Sequence, residues 1–172
     1  MSFEDVLEKR RSIRKYLDKD VSEENIKKVI EAGILSPSAH NRQPWKVKVL
    51  KNELKSEVYA SMMFKKDINH TIEMTANIIQ EAPVLLAVFY DKEEGTRDND
   101  ILSIGAFIEN MHLKATSIGL GSLWIANTNH IKEEIKNICD TNLECVSCLA
   151  LGYSDQDPKK RPRKDYNEIV IE

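Results

Sequence analysis

The spacing of apolar positions changes period several times along the chain, and each change marks an element. Phe3, Val6 and Leu7 share one helical face, and Ser2 with Asp5 has the capping-box spacing, so a first helix is expected to run as far as Arg10. Ser22 is a good N-cap for a second helix, with Val21 and Ile26 placed as a hydrophobic staple and Ile26, Val29, Ile30 and Ile34 as its buried stripe. Ser36-Pro37 stops it. Trp45, Val47 and Val49 alternate with Lys46 and Lys48, the pattern of a strand with one wet face. Ile68, Ile72, Thr75 and Ile79 predict a helix leading to Ala82-Pro83. The unbroken apolar run Val84 to Tyr90 then predicts a central strand covered on both faces.

After a polar loop from Asp91 to Asn99, Ile101, Ile104, Ile108, Met111, Ala115 and Ile118 mark a long helix with Gly119 as its stop. Ser122 to Ala126 reads as a third strand, Ile131, Ile135 and Ile138 as a short amphipathic helix, and Cys145 to Leu151 as a fourth strand ending at Gly152. The tail from Ser154 begins polar and basic and finishes on Ile169-Val170-Ile171, which suits an arm adding a strand to a sheet, another subunit's included. No repeat or linker interrupts the chain. Its 172 residues are therefore expected to form one α+β domain spanning 1–172.

Composition narrows the function classes. Hydrophobic residues make up 41% and charged residues 31%, and 25 basic against 28 acidic side chains leave a net charge of −3. A disordered chain and a generally basic nucleic-acid binder are poor descriptions of that balance. Val84 to Tyr90, the longest apolar run, is far too short to cross a membrane, and Met1 to Asp5 is acidic within five residues; a cytoplasmic protein is expected. Cys139, Cys145 and Cys148 are odd in number and few, which agrees with a reducing compartment. Cys145 and Cys148, three apart in a strand, are expected to face opposite sides as core residues.

The basic residues are clustered: Lys9, Arg10, Arg11, Arg14 and Lys15 near one end, and Lys159, Lys160, Arg161, Arg163 and Lys164 near the other. Either group alone reads equally well as a solvated face. Two of them in an acidic protein point to an anion site, where arginine's planar fork grips phosphate. The connector Ser36 to Trp45 is crowded with hydroxyls and amides that can bond a polar heterocycle. Gly119-Leu120-Gly121 lacks the third glycine of a dinucleotide turn and instead suits a close backbone approach. The four histidines have no metal-ligand spacing, and no nucleophile elbow or Walker loop is present.

Arg10-Arg11-Ser12-Ile13-Arg14, Pro37-Ser38-Ala39-His40-Asn41-Arg42-Gln43-Pro44-Trp45, Ala82-Pro83, Ile118 to Ile125 and Arg161-Pro162-Arg163, in that order, resemble the nitroreductase family of flavoproteins. The resemblance implies a central mixed β-sheet flanked by helices, and a homodimer with a C-terminal arm exchanged between subunits. It also implies FMN in each of two interface clefts, reduced by NADH or NADPH and reoxidised, by a ping-pong cycle, by a small electron-poor acceptor such as a nitroaromatic or quinone. By the same resemblance Arg10, Arg11, Ser12 and Arg14 meet the flavin's phosphate, ribityl chain and pyrimidine edge, and Arg161 and Arg163 close on the phosphate. Pro37, Ser38, Ala39, Asn41 and Gln43 reach the partner's flavin. Trp124, Ile125 and Ala126 run along the isoalloxazine, where a backbone N–H donates to N5. The flavin carries the chemistry, so no catalytic side chain and no metal are expected.

Two departures from larger relatives stand out. The short segment between the second and third strands leaves no room for an extra helical excursion, so the cleft is expected to be open or covered by Met62 to Lys66. Ala126-Asn127 stands where some relatives carry an acidic residue and glycine. Relatives of this fold also carry out reductive dehalogenation or flavin fragmentation, and these remain alternative chemistries. A non-catalytic anion or nucleic-acid binder is disfavoured by the net charge and by the lack of aromatics among the basic clusters.

Overall fold

A computed structural model describes residues 1–92, 96–126 and 130–171. Part of the expected polar loop, 93–95, and Asn127 lie outside them. The elements follow in the order α1 (Phe3–Lys9), α2 (Glu23–Ile34), β1 (Trp45–Leu50), α3 (Asn52–Met63), α4 (His70–Glu81), β2 (Val84–Tyr90), α5 (Arg97–Ser117), β3 (Gly121–Ile125), α6 (Lys132–Ile138) and β4 (Glu144–Gly152). Short 3-10 turns occupy Ala39–Asn41 and Tyr166–Glu168. This is the α+β, nitroreductase-like arrangement that the sequence implies.

The four strands stand in the order β1-β2-β4-β3, and all three neighbouring pairs are antiparallel. A mixed sheet was expected. The helical crossover through α5 does bring β3 in parallel to β2, but β4 is inserted between them, so no two adjacent strands are parallel. Among the described residues the one parallel contact is an isolated bridge between Ser12 and Ser122.

β2 is buried at every position, as its apolar run requires. Leu85, Ala87 and Phe89 enter one core with residues of α3, α4 and α6, while Leu86 and Val88 enter a second with α2 and α5. The start of α2 forms as read: Ser22 Oγ accepts from Asn25 N at 3.2 Å, and Val21 and Ile26 are buried together. Ile34, however, is exposed, as are Phe3 and Leu7 of α1.

Two further expectations are corrected. In β4, Val88 pairs with Ser147 but Phe89 pairs with Cys145, so Val146 is the extra residue of a β-bulge. The bulge shifts the alternation by one and puts Cys145 and Cys148 in the same core cluster, with Cys139 beside them, rather than on opposite faces. All three thiols are free and buried, and burial pushes Cys139 up to about 11. Second, α3 had no predicted counterpart. It buries Lys55, Val58 and Met62, and the Lys55 ammonium donates to the carbonyls of Gln80 (2.7 Å) and Ala82 (2.5 Å) at the end of α4. Ile169, Val170 and Ile171 follow the Tyr166–Glu168 turn, are 64%, 45% and 95% exposed, and pair with no strand among the described residues.

Candidate functional site

The chain leaves α1 at Arg10 and runs along the outer edge of β3, where Ile13 N donates to Ser122 O at 3.0 Å. Gly121 makes this approach possible, because a Cβ there would lie 2.8 Å from the Ile13 side chain. Gly119, at φ +79°, turns the chain from α5 into β3. Of the two glycines it is thus Gly121 that admits a close neighbour, the Ile13 side chain. Farther on, Leu17 N bonds Tyr153 O (2.9 Å) and Asp155 N bonds Lys15 O (3.0 Å), which lays the polar tail beside the first basic segment. Arg11 completes the seam: its Nε donates to Pro158 O at 3.2 Å, and its Nη1 to the carbonyls of Glu8 (2.7 Å) and Arg10 (2.9 Å). Lys160 pairs with Glu8 across it.

The two basic clusters therefore meet. Arg10, Arg11, Ser12, Arg14, Arg161 and Arg163 line one cleft of about 350 Å³, together with Lys159 and Lys160. Glu8 is the single carboxylate among its lining residues. Arg14, Lys159, Arg161 and Arg163 make no ion pair among the described residues. A pocket with such a surplus of cationic donors fits a phosphate, and Arg11, whose Nε and Nη1 donors are engaged by carbonyls, serves as its frame.

Glu109 and His112 of α5 lie beneath. Arg10 Nε is 3.7 Å from Glu109 Oε1, and burial raises the Glu109 carboxyl against the pull of Arg10. His112 is buried, and its Nε2–H points to Arg11 O at 3.4 Å. Burial first, and the charge of Arg10 second, hold its imidazole down at about 4 against the carbonyls of Arg11 and Ser122. Its 3.9 Å approach to Glu109 is therefore no ion pair at neutral pH. These two residues were missed as site residues. The signal was their spacing of three on a helix, next to the buried Ile108 and Met111.

The connector residues Pro37, Ser38, Ala39, Asn41 and Gln43 do not line this cleft. Their loop is held in an unusual shape: His40, Asn41 and Gln43 all have positive φ, between 52° and 54°. Ser38 Oγ accepts from Gln43 N at 3.0 Å, and Gln43 Nε2 donates to Asn41 O at 3.3 Å. Arg42 anchors the loop through Asp100, 1% exposed, at 2.9 Å; Tyr90 donates to the same carboxylate at 3.1 Å. Trp45 stacks on Phe107. Along α5 the Asp100 anchor stands nine residues before Glu109, about 13 Å at the helical rise.

Trp124 and Ile125 end β3, with the indole 36% exposed, Ile125 buried and Ala126 exposed beyond it. Met62 to Lys66 does not line this chain's basic cleft: Met62 is in the core, Phe64 is 87% exposed, and Lys65 pairs with Glu134 of α6 at 2.5 Å. No helix is long and apolar enough to cross a membrane, and no group of side chains among the described residues could hold a metal ion.

Known proteins share this arrangement. A protein of Methanothermobacter thermautotrophicus provisionally named an NADH dehydrogenase/NAD(P)H nitroreductase is 29% identical over 177 residues, covering 98% of this chain and 87% of that one. The iodotyrosine deiodinase of Hydra vulgaris is 28% identical over 188 residues, covering 94% and 69%. A crystal structure of a provisionally named nitroreductase from Desulfovibrio desulfuricans in complex with FMN superimposes with a TM-score of 0.86 at 25% identity, covering 100% of this chain and 96% of that one. The sequence profile of the Nitroreductase family matches residues 7–153, so the chain, with its convergent basic segments and α5-braced sheet, belongs to the nitroreductase family.

Proposed function

We propose that the protein is an FMN-dependent oxidoreductase that takes a hydride from NADH or NADPH and passes it to a small electron-poor acceptor, a nitroaromatic or a quinone. The observation that carries this reading is the meeting of Arg10 and Arg14 with Arg161 and Arg163, far apart in sequence, in one cleft with a surplus of positive charge. In this reading Arg161, Arg163, Arg10 and Arg14 grip the phosphate and Ser12 meets the ribityl chain. The backbone at Trp124, Ile125 and Ala126 borders the ring system. FMN supplies the hydride chemistry when bound, and the protein orients it and excludes side reactions.

The Pro37 to Gln43 loop stands apart from its own chain's cleft, which supports a homodimer in which Pro37, Ser38, Ala39, Asn41 and Gln43 complete the partner's site. The exposed arm Ile169 to Ile171 and the outer edge of β1 are the surfaces that such a dimer covers. Purified protein is expected to be yellow, or to become so with FMN, and to bleach anaerobically on addition of NADH or NADPH. Protein that neither contains nor takes up FMN overturns the proposal. The likeness to an iodotyrosine deiodinase favours a second reading, reductive dehalogenation at the same site. Parallel assays of the reduced protein with a nitroaromatic, a quinone and iodotyrosine separate the two by product.

A further inference from the structure

The end of β3 holds a hydrogen-bond relay that the flavin reading does not itself use. Trp124 Nε1–H donates to Ser147 Oγ at 2.8 Å, and Ser147 Oγ–H donates to the carbonyl of Ile125 at 2.7 Å. Ser147 is 3% exposed, so its hydroxyl exchanges these bonds with no bulk water. Its place follows from the regular register of β4: Ser147 pairs with Val88 and stands two residues before Leu149, the partner of Trp124, so hydroxyl and indole share one face of the sheet. The indole itself leans on α5, where a methyl group on Gly105 would lie 3.7 Å from its Cη2. One donor and one acceptor thus fix the hydroxyl torsion.

The carbonyl of Ile125 and the N–H of Ala126 belong to one peptide unit, which is planar and rigid, so the direction of one fixes the direction of the other. A hydrogen bond accepted by the carbonyl also polarises the unit and strengthens its N–H as a donor. We infer that Ser147 is a positioning residue: through the Ile125 carbonyl it aims and strengthens the Ala126 N–H toward N5 of the flavin. This inference rests on the FMN reading above. Oxidised N5 accepts a hydrogen bond, whereas reduced N5 carries its own hydrogen, so a donor aimed there favours the oxidised cofactor.

Two measurements test it on the full chain. Without added FMN, the Trp124 indole N–H resonance, identified as the one missing in Trp124→Phe, is expected to move upfield and exchange faster in Ser147→Ala and to stay near its parental position in Ser147→Thr. With FMN bound, Ser147→Ala is expected to lose about tenfold in its preference for oxidised over reduced cofactor, read as a rise of about 30 mV in the two-electron potential. Ser147→Thr, which keeps the hydroxyl, is expected to restore the parental value. Should alanine prevent folding, Ser147→Cys, a weak donor of similar size, provides the same comparison. An unmoved indole resonance, or an unchanged potential in a variant that binds FMN, overturns the positioning role alone. A parent that takes up no FMN overturns the flavin reading and the role together.

Discussion

Arg163 is exposed and makes no ion pair among the described residues, so nothing in the fold depends on its charge, whereas the cleft it lines is cationic. Removing a charge-assisted phosphate contact costs about 1.5–3 kcal/mol. Arg163→Ala is therefore expected to weaken FMN binding about ten- to a hundredfold in a titration while leaving the thermal midpoint of the apoprotein in place. Riboflavin, which lacks the phosphate, should be nearly indifferent to the change; equal losses for both ligands would place the arginine elsewhere. His112, beneath the same cleft, has the opposite character: buried and needed neutral. Its folded-state value is held at about 4 against an ordinary 6.5, so the unfolded chain takes up the proton first. Stability from this group is complete above pH 6.5 and is lost as pH falls toward 4, by up to about 3 kcal/mol. Glu109, whose carboxyl is raised, pulls the other way over part of that range. The difference between parent and His112→Gln in denaturant midpoints across pH 4 to 7 isolates the histidine, and the variant's acid limb should be the flatter.

The elements are joined by close approaches at glycines, and among the described residues Gly152 at the end of β4 is the tightest. A Cβ there would lie 2.5 Å from Pro83 Cδ and 2.8 Å from Tyr16. The proline ring is fixed by the start of β2 and cannot swing aside, and Tyr16 is tied by its hydroxyl to Ile13 O at 2.9 Å. Gly152→Ala should cost about 1–3 kcal/mol, the usual toll of overpacking, seen as a lower urea midpoint with an unchanged slope. At this scale much of the fold was legible. Ser22, Val21 and the Ile26-Val29 stripe announce α2, and an apolar run flanked by Pro83 and Asp91 announces β2, because both signals are local. α3 was not legible, since its first buried position is Lys55, a lysine whose partners are carbonyls of another helix. The bulge at Val146 was equally hidden: an extra residue in one strand is defined by its neighbour's register, and that register is a property of the pair. Of the site, the charges could be read, while their convergence required the Arg10 to Tyr16 segment to lie against Ser122 and Tyr153.

In the proposed dimer the site comes in two parts. The cationic cleft is braced by Glu109 of α5, and the Pro37 to Gln43 loop is anchored by Asp100 of the same helix, so one rigid element sets the spacing between what the chain keeps and what it presents. Leu35, Leu102 and Ile171, at 83%, 74% and 95% exposed, leave apolar surface for a second copy to cover. If the loop of one subunit completes the cleft of the other, each site contains Arg163 from one chain and Asn41 from its mate. Arg163→Ala homodimers then have two defective sites, and so do Asn41→Ala homodimers. A mixed dimer gathers both lesions in one site and leaves the other intact. Co-refolding equal amounts of the two variants with random pairing makes half of the dimers mixed, so about a quarter of parental turnover should return. The comparison is made at an FMN concentration where each variant alone is nearly inactive, with sedimentation showing that both remain dimers. Activity that stays at the level of the separate variants would put both residues in the site of a single chain, and the proposed sharing of the flavin between subunits would be wrong.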